Sequence, residues 1–191
     1  VNNRAAKAIS DSTWQLLWQS PLSTEDRVWL GLCCYAGLRR REIAALAPEQ
    51  VDPQRGLLLG VERKGGDEDV LEFAAMARVI EGGLPNVLPD AEGWIEQVRW
   101  LAHARSGERC LVTFDTPGTP LQLARASYTD ARLPSPNAVN RRLEVILRRS
   151  GFTSNTFSPH AMRHTAGTNL LRCGVPIDVV ADLLGHSHVD T

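Results

Sequence analysis

Apolar residues recur at three- and four-residue spacing near the start of the chain, at Trp14, Leu17 and Trp18 and then at Val28, Trp29, Leu32, Cys33 and Ala36. That spacing places side chains on one face of a helix and predicts two helices in succession. The second opens at Ser23-Thr24-Glu25-Asp26, which supplies a capping hydroxyl and acids for the first turn, and stops at Gly37. A short third helix is expected from Arg40 to Ala47, ending before Pro48. The period then changes: Leu57-Leu58-Leu59-Gly60-Val61 and Val70-Leu71-Glu72-Phe73 read as two strands joined through Gly65-Gly66, a hairpin with Lys64 near its tip. Helices resume at Trp94 to Ala104 and at Asn137 to Ser150, separated by a loop rich in Pro, Gly and Thr around Asp115 to Pro120. Ser158-Pro159 is a helix opening, because serine caps and proline in the first turn has no N–H to leave unpaired. Gly174 closes that helix, and a last one runs from near Pro176 to Gly185 with His186 just beyond it. The pattern as a whole predicts a mainly α fold with a small antiparallel β-sheet, an α+β domain.

Composition narrows the picture. With 191 residues, 43% of them hydrophobic, the chain suits one globular domain. No run of about 18 uncharged apolar residues occurs, and the opening VNNRAAKAIS has no apolar signal-peptide core, so a cytoplasmic protein with no membrane partner is expected. Cys33, Cys34, Cys110 and Cys173 lack the C-x-x-C spacing of a zinc or redox pair and read as buried free thiols. A formal net charge of -1 gives no sign of a general nucleic-acid binder. Its distribution does: from Leu121 to Arg172 eight arginines face two acids, whereas from Glu62 to Glu96 nine acids face three bases. Such polarity allows one face to attract phosphates while the molecule stays near neutral.

Candidate chemistry gathers late in the chain. Ser158-Pro159-His160-Ala161-Met162-Arg163-His164 would set His160 in the first turn of its helix, where unpaired N–H groups and the positive dipole end favour an anion and a neutral imidazole. Arg163, three residues on, could aim paired donors at the same anion. Upstream, Arg39 follows Gly37-Leu38, and Glu42 could hold it; a surface ion pair is the usual meaning of that spacing. Lys64 is one of only two lysines against nineteen arginines, and a lysine at a hairpin tip can give a proton to a departing oxygen as arginine cannot. Two arginines and a histidine on one phosphate, with an acid and a base, make a clamp for phosphoryl transfer.

Taken together, Ala36-Gly37-Leu38-Arg39-Arg40-Arg41-Glu42, the Arg63-Lys64-Gly65 hairpin, His160-Ala161-Met162-Arg163-His164 and Leu184-Gly185-His186 resemble the catalytic domain of the tyrosine recombinase, or phage integrase, family from about Ser10 to Thr191. The resemblance implies that Arg39 and Arg163 bind the scissile phosphate, Lys64 is the general acid toward the leaving 5′ oxygen, His160 assists proton removal from the nucleophile and His186 donates a hydrogen bond to the phosphate. His164 and Glu42 match supporting positions. It further implies site-specific DNA recombination through a 3′-phosphotyrosyl intermediate on double-stranded DNA, by a homo-tetramer that exchanges C-terminal segments, with no cofactor and no metal.

Two departures qualify this. The family's tyrosine stands about nine residues after the Leu-Gly-His histidine, whereas five residues follow His186 here. Tyr35 lies on an apolar helix face and reads as core; Tyr128 lies in a polar stretch and reads as exposed. The chain is therefore expected to be truncated before its nucleophile and to bind DNA without cleaving it, with residues 1–191 a single catalytic domain whose residues 1–10 are a linker from a missing N-terminal DNA-binding domain. Asp67-Glu68-Asp69 also stands where the family often has basic residues, which puts the hairpin's DNA contact in question. Two other readings compete: a non-catalytic DNA-binding module built on the helices around Gly174-Val175-Pro176, and a zinc hydrolase using His160 and His164 at the four-residue spacing of H-E-x-x-H, with Ala161 in place of the glutamate.

Overall fold

The structure, a computed structural model, describes residues 7–63, 67–113, 136–153 and 157–185. Helices α1 (Asp11–Gln19), α2 (Thr24–Cys34) and α3 (Arg40–Ala45) come first, followed by a 3-10 turn at Pro48–Gln50 and strands β1 (Val51–Asp52), β2 (Leu57–Glu62) and β3 (Glu68–Leu71). Then come α4 (Phe73–Gly83), α5 (Ala91–Ala104), α6 (Pro136–Arg149), α7 (Pro159–Arg172) and α8 (Ile177–Leu183). The mainly α fold with a small antiparallel sheet is thus observed. Its three strands lie in the order β1-β2-β3, with Val51 opposite Leu58, Leu58 opposite Leu71, and Glu62 opposite Glu68.

Local chemistry accounts for the helix starts. Ser10, Ser23, Asp90 and Ser158 each accept from a backbone N–H three residues on, satisfying one of the donors that a helix start leaves open. Pro159 follows Ser158 at the first position of α7, as expected. Two elements depart from the expectation. Phe73 ends no strand; it opens α4, whose buried Phe73, Met76, Ala77 and Ile80 repeat with helical spacing. Here β3 stops at Leu71, because the apolar run from Val70 continues into an alanine-rich segment that favours helix over strand. The two-residue β1 is too short to carry an alternation that could be read beforehand.

The centre of the domain is α2, packed on α3, α5 and α7. Val28, Trp29, Leu30, Leu32 and Cys33 are fully buried, so α2 is apolar nearly all round, the mark of a helix enclosed by others. Tyr35 lies among Trp14, Trp18 and Trp94, with ring centroids 5.7, 5.5 and 5.2 Å away, and its hydroxyl accepts from Trp14 Nε1 at 3.1 Å. Trp94 reaches this cluster because residue 31 is glycine: a Cβ there would lie 2.2 Å from Trp94 Nε1. Cys33, Cys34 and Cys110 are buried free thiols and Cys173 is half-buried; burial pushes all four up from the ordinary thiol range and leaves them in the unreactive form. Among the described residues no helix is long and apolar enough to cross a membrane.

Candidate active site

Gly37 adopts φ +64° after α2, which turns the chain toward α3 and puts Arg39 at the latter's first cap. A side chain at Gly37 would also meet Leu184 Cδ2 at 2.2 Å, so the turn lies against the end of α8. From the cap, the Arg39 backbone N–H donates to Glu42 Oε2 at 2.7 Å. The Arg39 guanidinium donates to Glu42 Oε1 at 2.8 Å and to the Gly185 carbonyl at 3.1 Å.

Glu42 is not part of a surface pair. It is 5% exposed, and its Oε2 also accepts from the Arg63 guanidinium at 3.2 Å and stands 3.9 Å from that of Arg163. One buried carboxylate therefore serves three arginines. Spacing alone does not distinguish this from a surface pair, since the three-residue separation is common to both.

Arg163 comes from the second turn of α7 and is 7% exposed. Its guanidinium donates to the carbonyls of Gly37 and Leu184, so it joins the two glycine-bearing turns that flank the site. Burial, and after it the nearby charge of Arg39, pushes Arg163 down to about 10 against the opposing pull of Glu42. At neutral pH it still carries its proton. His160 is exposed in the first turn of the same helix, one turn before Arg163, so the two fall on neighbouring positions of the helix surface.

Arg63 was legible only as a flank of the hairpin. In the structure it is 7% exposed and continues the inward side of β2 after Val61. Its guanidinium donates to Glu42, to Asp69 at 3.3 Å and to the Leu183 carbonyl at 3.0 Å. The available signal was the two-residue strand period, which turns residue 63 inward with 61; an inward arginine requires a buried acid, and Glu42 supplies it. Asp69, one of the three acids after the hairpin turn, is thereby engaged with Arg63.

These contacts converge on the end of α8. Leu183, Leu184 and Gly185 are consecutive, and their carbonyls accept from Arg63, Arg163 and Arg39 in turn. A helix end leaves its last carbonyls without intrahelical partners and carries partial negative charge, so cations are favoured there. Three guanidinium groups face the carboxylates of Glu42 and the half-exposed Asp69. The centre keeps an excess of positive charge, able to hold an anion.

The structure brings Arg39 and Arg163 together on Glu42 and the α8 end, with His160 on the exposed N-terminal turn of α7. Lys64 and His186 lie outside the described residues, as does Tyr128. Their chain neighbours Arg63 and Gly185 are both anchored in the centre. Tyr35 is 0% exposed, and burial pushes its phenol well above the ordinary range, as befits a core residue. His164 is exposed, with Nδ1 3.3 Å from Thr168 Oγ1. Among the described residues no group of three His, Cys, Asp or Glu side chains could hold a metal. The basic stretch is partly spent within the fold: Arg142 donates to Asp26 at 2.6 and 3.1 Å, and Arg172 pairs with Asp11 at 2.8 Å. Arg141, Arg148 and Arg149 on α6 remain exposed.

The sequence has relatives among known proteins. The sequence profile of the phage integrase family matches residues 5–191. The tyrosine recombinase XerD of Xanthomonas campestris is 28% identical over 172 residues, covering 90% of this chain and 47% of that protein. The tyrosine recombinase XerC of Mycobacterium leprae is likewise 28% identical, covering 90% and 49%. For the tyrosine recombinase XerA of Thermococcus kodakarensis the identity is 27%, with 90% and 50% covered. The chain spans about half the length of these curated relatives.

Proposed function

Since the chain belongs to the phage integrase family of tyrosine recombinases, we propose that it is the part of a site-specific DNA recombinase that holds and polarises the scissile phosphate. The observation that carries this reading is the arginine centre, in which Arg39 and Arg163 meet on one buried carboxylate beside the exposed start of α7. Two of the five N–H bonds of Arg163 go to carbonyls and fix the plane of its guanidinium. The remaining donors, with those of Arg39, take the nonbridging phosphate oxygens, where charge grows as the phosphorus becomes five-coordinate.

In this reading a tyrosine oxygen attacks the phosphorus, the bond to the 5′ oxygen breaks, and a 3′-phosphotyrosyl link remains. His160 helps take the phenolic proton, Lys64 supplies a proton to the departing 5′ oxygen, and His186 donates to the phosphate. A 5′ hydroxyl of the exchanged strand then reverses the step. One P–O bond forms for each one broken, so the exchange needs no nucleotide hydrolysis. Tyr35 is not the attacking group, because a fully buried phenol with a raised pKa can neither reach a phosphate nor ionise. In this reading the nucleophile is the tyrosine that the family pattern places about nine residues after the Leu-Gly-His histidine. Duplex DNA is the substrate and a homo-tetramer the working assembly.

Full-length protein incubated with labelled duplexes from the DNA flanking its own coding region should acquire a covalent DNA adduct that survives denaturation. Replacing that downstream tyrosine by phenylalanine should abolish it. An adduct that persists in the phenylalanine variant sinks the mechanism.

A second expectation concerns the anion itself. Inorganic phosphate should raise the melting temperature relative to chloride at equal ionic strength, by about 2.7 kcal/mol of stabilisation at 100 times the dissociation constant. Arg39→Ala should remove most of that increment, as read by calorimetry in the two buffers.

A further inference from the structure

We infer that Arg63, through the end of α8, is a positioning residue for the phosphate-binding pair Arg39 and Arg163, a role that rests on the recombinase reading above. Arg63 connects three separate pieces of chain. Its backbone N–H donates to the Asp67 carbonyl at 2.8 Å, closing the stem of the hairpin, and Asp69 on β3 holds its Nε. One terminal nitrogen meets Glu42 Oε2, and the other meets the Leu183 carbonyl. Its side chain is 6% exposed, and its Nε and both terminal nitrogens are committed to partners within the fold. Gly185 packs directly on it: a Cβ at that glycine would lie 3.1 Å from both Cδ and Nε of Arg63.

The consequence follows from what Arg39 and Arg163 rest upon. Each holds Glu42 at one side and a carbonyl of the α8 end at the other, and Arg63 touches both supports. Within Glu42 the guanidinium of Arg63 takes Oε2, which leaves Oε1 to the guanidinium of Arg39. At α8 it fixes the carbonyl immediately before the two that Arg163 and Arg39 use. Without the fork of Arg63, the carboxylate is free to rotate and the helix end to shift, carrying the other two guanidiniums off the phosphate. Lysine preserves the charge but cannot reach Glu42, Asp69 and Leu183 at once, because it has one nitrogen where arginine has three in a rigid plane.

The test uses the full-length protein and a duplex that it cleaves, with single-turnover rates for wild type, Arg63→Lys and Arg63→Met. Arg63→Lys is expected to remain folded, with a lowered melting temperature, and to keep most of its DNA affinity while the cleavage rate falls about 100-fold, the size of effect that a displacement on the order of 1 Å produces. Arg63→Met should fall at least as far. The discriminating substrate carries a neutral methylphosphonate at the scissile position, where arginine neutralisation of the phosphate has less to do. There most of the deficit should disappear. Wild-type rates for Arg63→Lys on the ordinary phosphate would overturn the inference, and so would an equal deficit on both substrates, which would mark general damage to the fold. Should Arg63→Met fail to fold, Arg63→Lys alone decides the matter. If wild type itself forms no adduct, the recombinase reading has failed, and this inference with it.

Discussion

Arg163→Ala in the full-length protein should lower the single-turnover rate of DNA cleavage by roughly 100- to 1,000-fold, the loss seen when one preorganised donor to a developing charge is removed. The effect is expected to be at the upper end for a reason visible in the contacts. Arg163 is a donor to the phosphate in the proposed mechanism, and it also ties the Gly37 and Leu184 carbonyls together from the core side. Truncation deletes the donor and unfastens both turns, one leading to Arg39 and the other to His186. Arg163→Lys should recover little, since an ammonium group cannot span two carbonyls and a phosphate with planar donors. Quenched-flow cleavage with saturating DNA separates this from weaker binding. A rate within about threefold of wild type for Arg163→Ala would remove it from the site.

The largest effect on stability should come from Glu42→Ala. Breaking a buried pair by removing one partner costs about 3–5 kcal/mol, because the other charge is left uncompensated. Here three guanidiniums lose their shared carboxylate, two of them buried. The Arg39 backbone N–H at the start of α3 loses its acceptor as well. Urea unfolding should show the drop in midpoint, and phosphate should restore part of it by replacing the missing negative charge. Glu42→Gln, which keeps the shape and loses the charge, should fall between. A change below about 1 kcal/mol for Glu42→Ala would show that solvent already compensates the arginines.

How much of this was legible beforehand depended on how local the physics was. Ser23 and Ser158 announce their helices because capping is settled within four residues, and Gly37, Gly174 and Gly185 mark turns that need a left-handed backbone. Arg39, Arg163 and His160 could be picked out because their motifs are short and their order is distinctive. Glu42 could be paired with Arg39 but not recognised as buried, since burial is decided by α8 and β2, which lie far along the chain. Arg63 was named with Lys64 and given no role; its partners Glu42, Asp69 and Leu183 come together only when the sheet packs on α3 and α8. The basic stretch misled in the other direction, because charge counted along a sequence cannot show that Arg142 and Arg172 are committed to Asp26 and Asp11. Helix α4 was missed where a strand-like run passes into helix without a glycine or proline between them.

The arginine centre is closed by hydrogen bonds that span most of the chain, with Arg39 and Gly185 separated by 146 residues, Arg163 and Gly37 by 126, and Arg63 and Leu183 by 120. Closing loops of that length costs conformational entropy that only the rest of the packed core can offset, and contacts so distant in sequence form late. On the ribosome α1 to α5 and the sheet are made first, yet Arg39 and Arg63 have no α8 end to grip until residues 177–185 have followed. Assembly of the centre is thus tied to synthesis through Gly185, and a copy that stops short of it carries its arginines without the carbonyls that hold them in place.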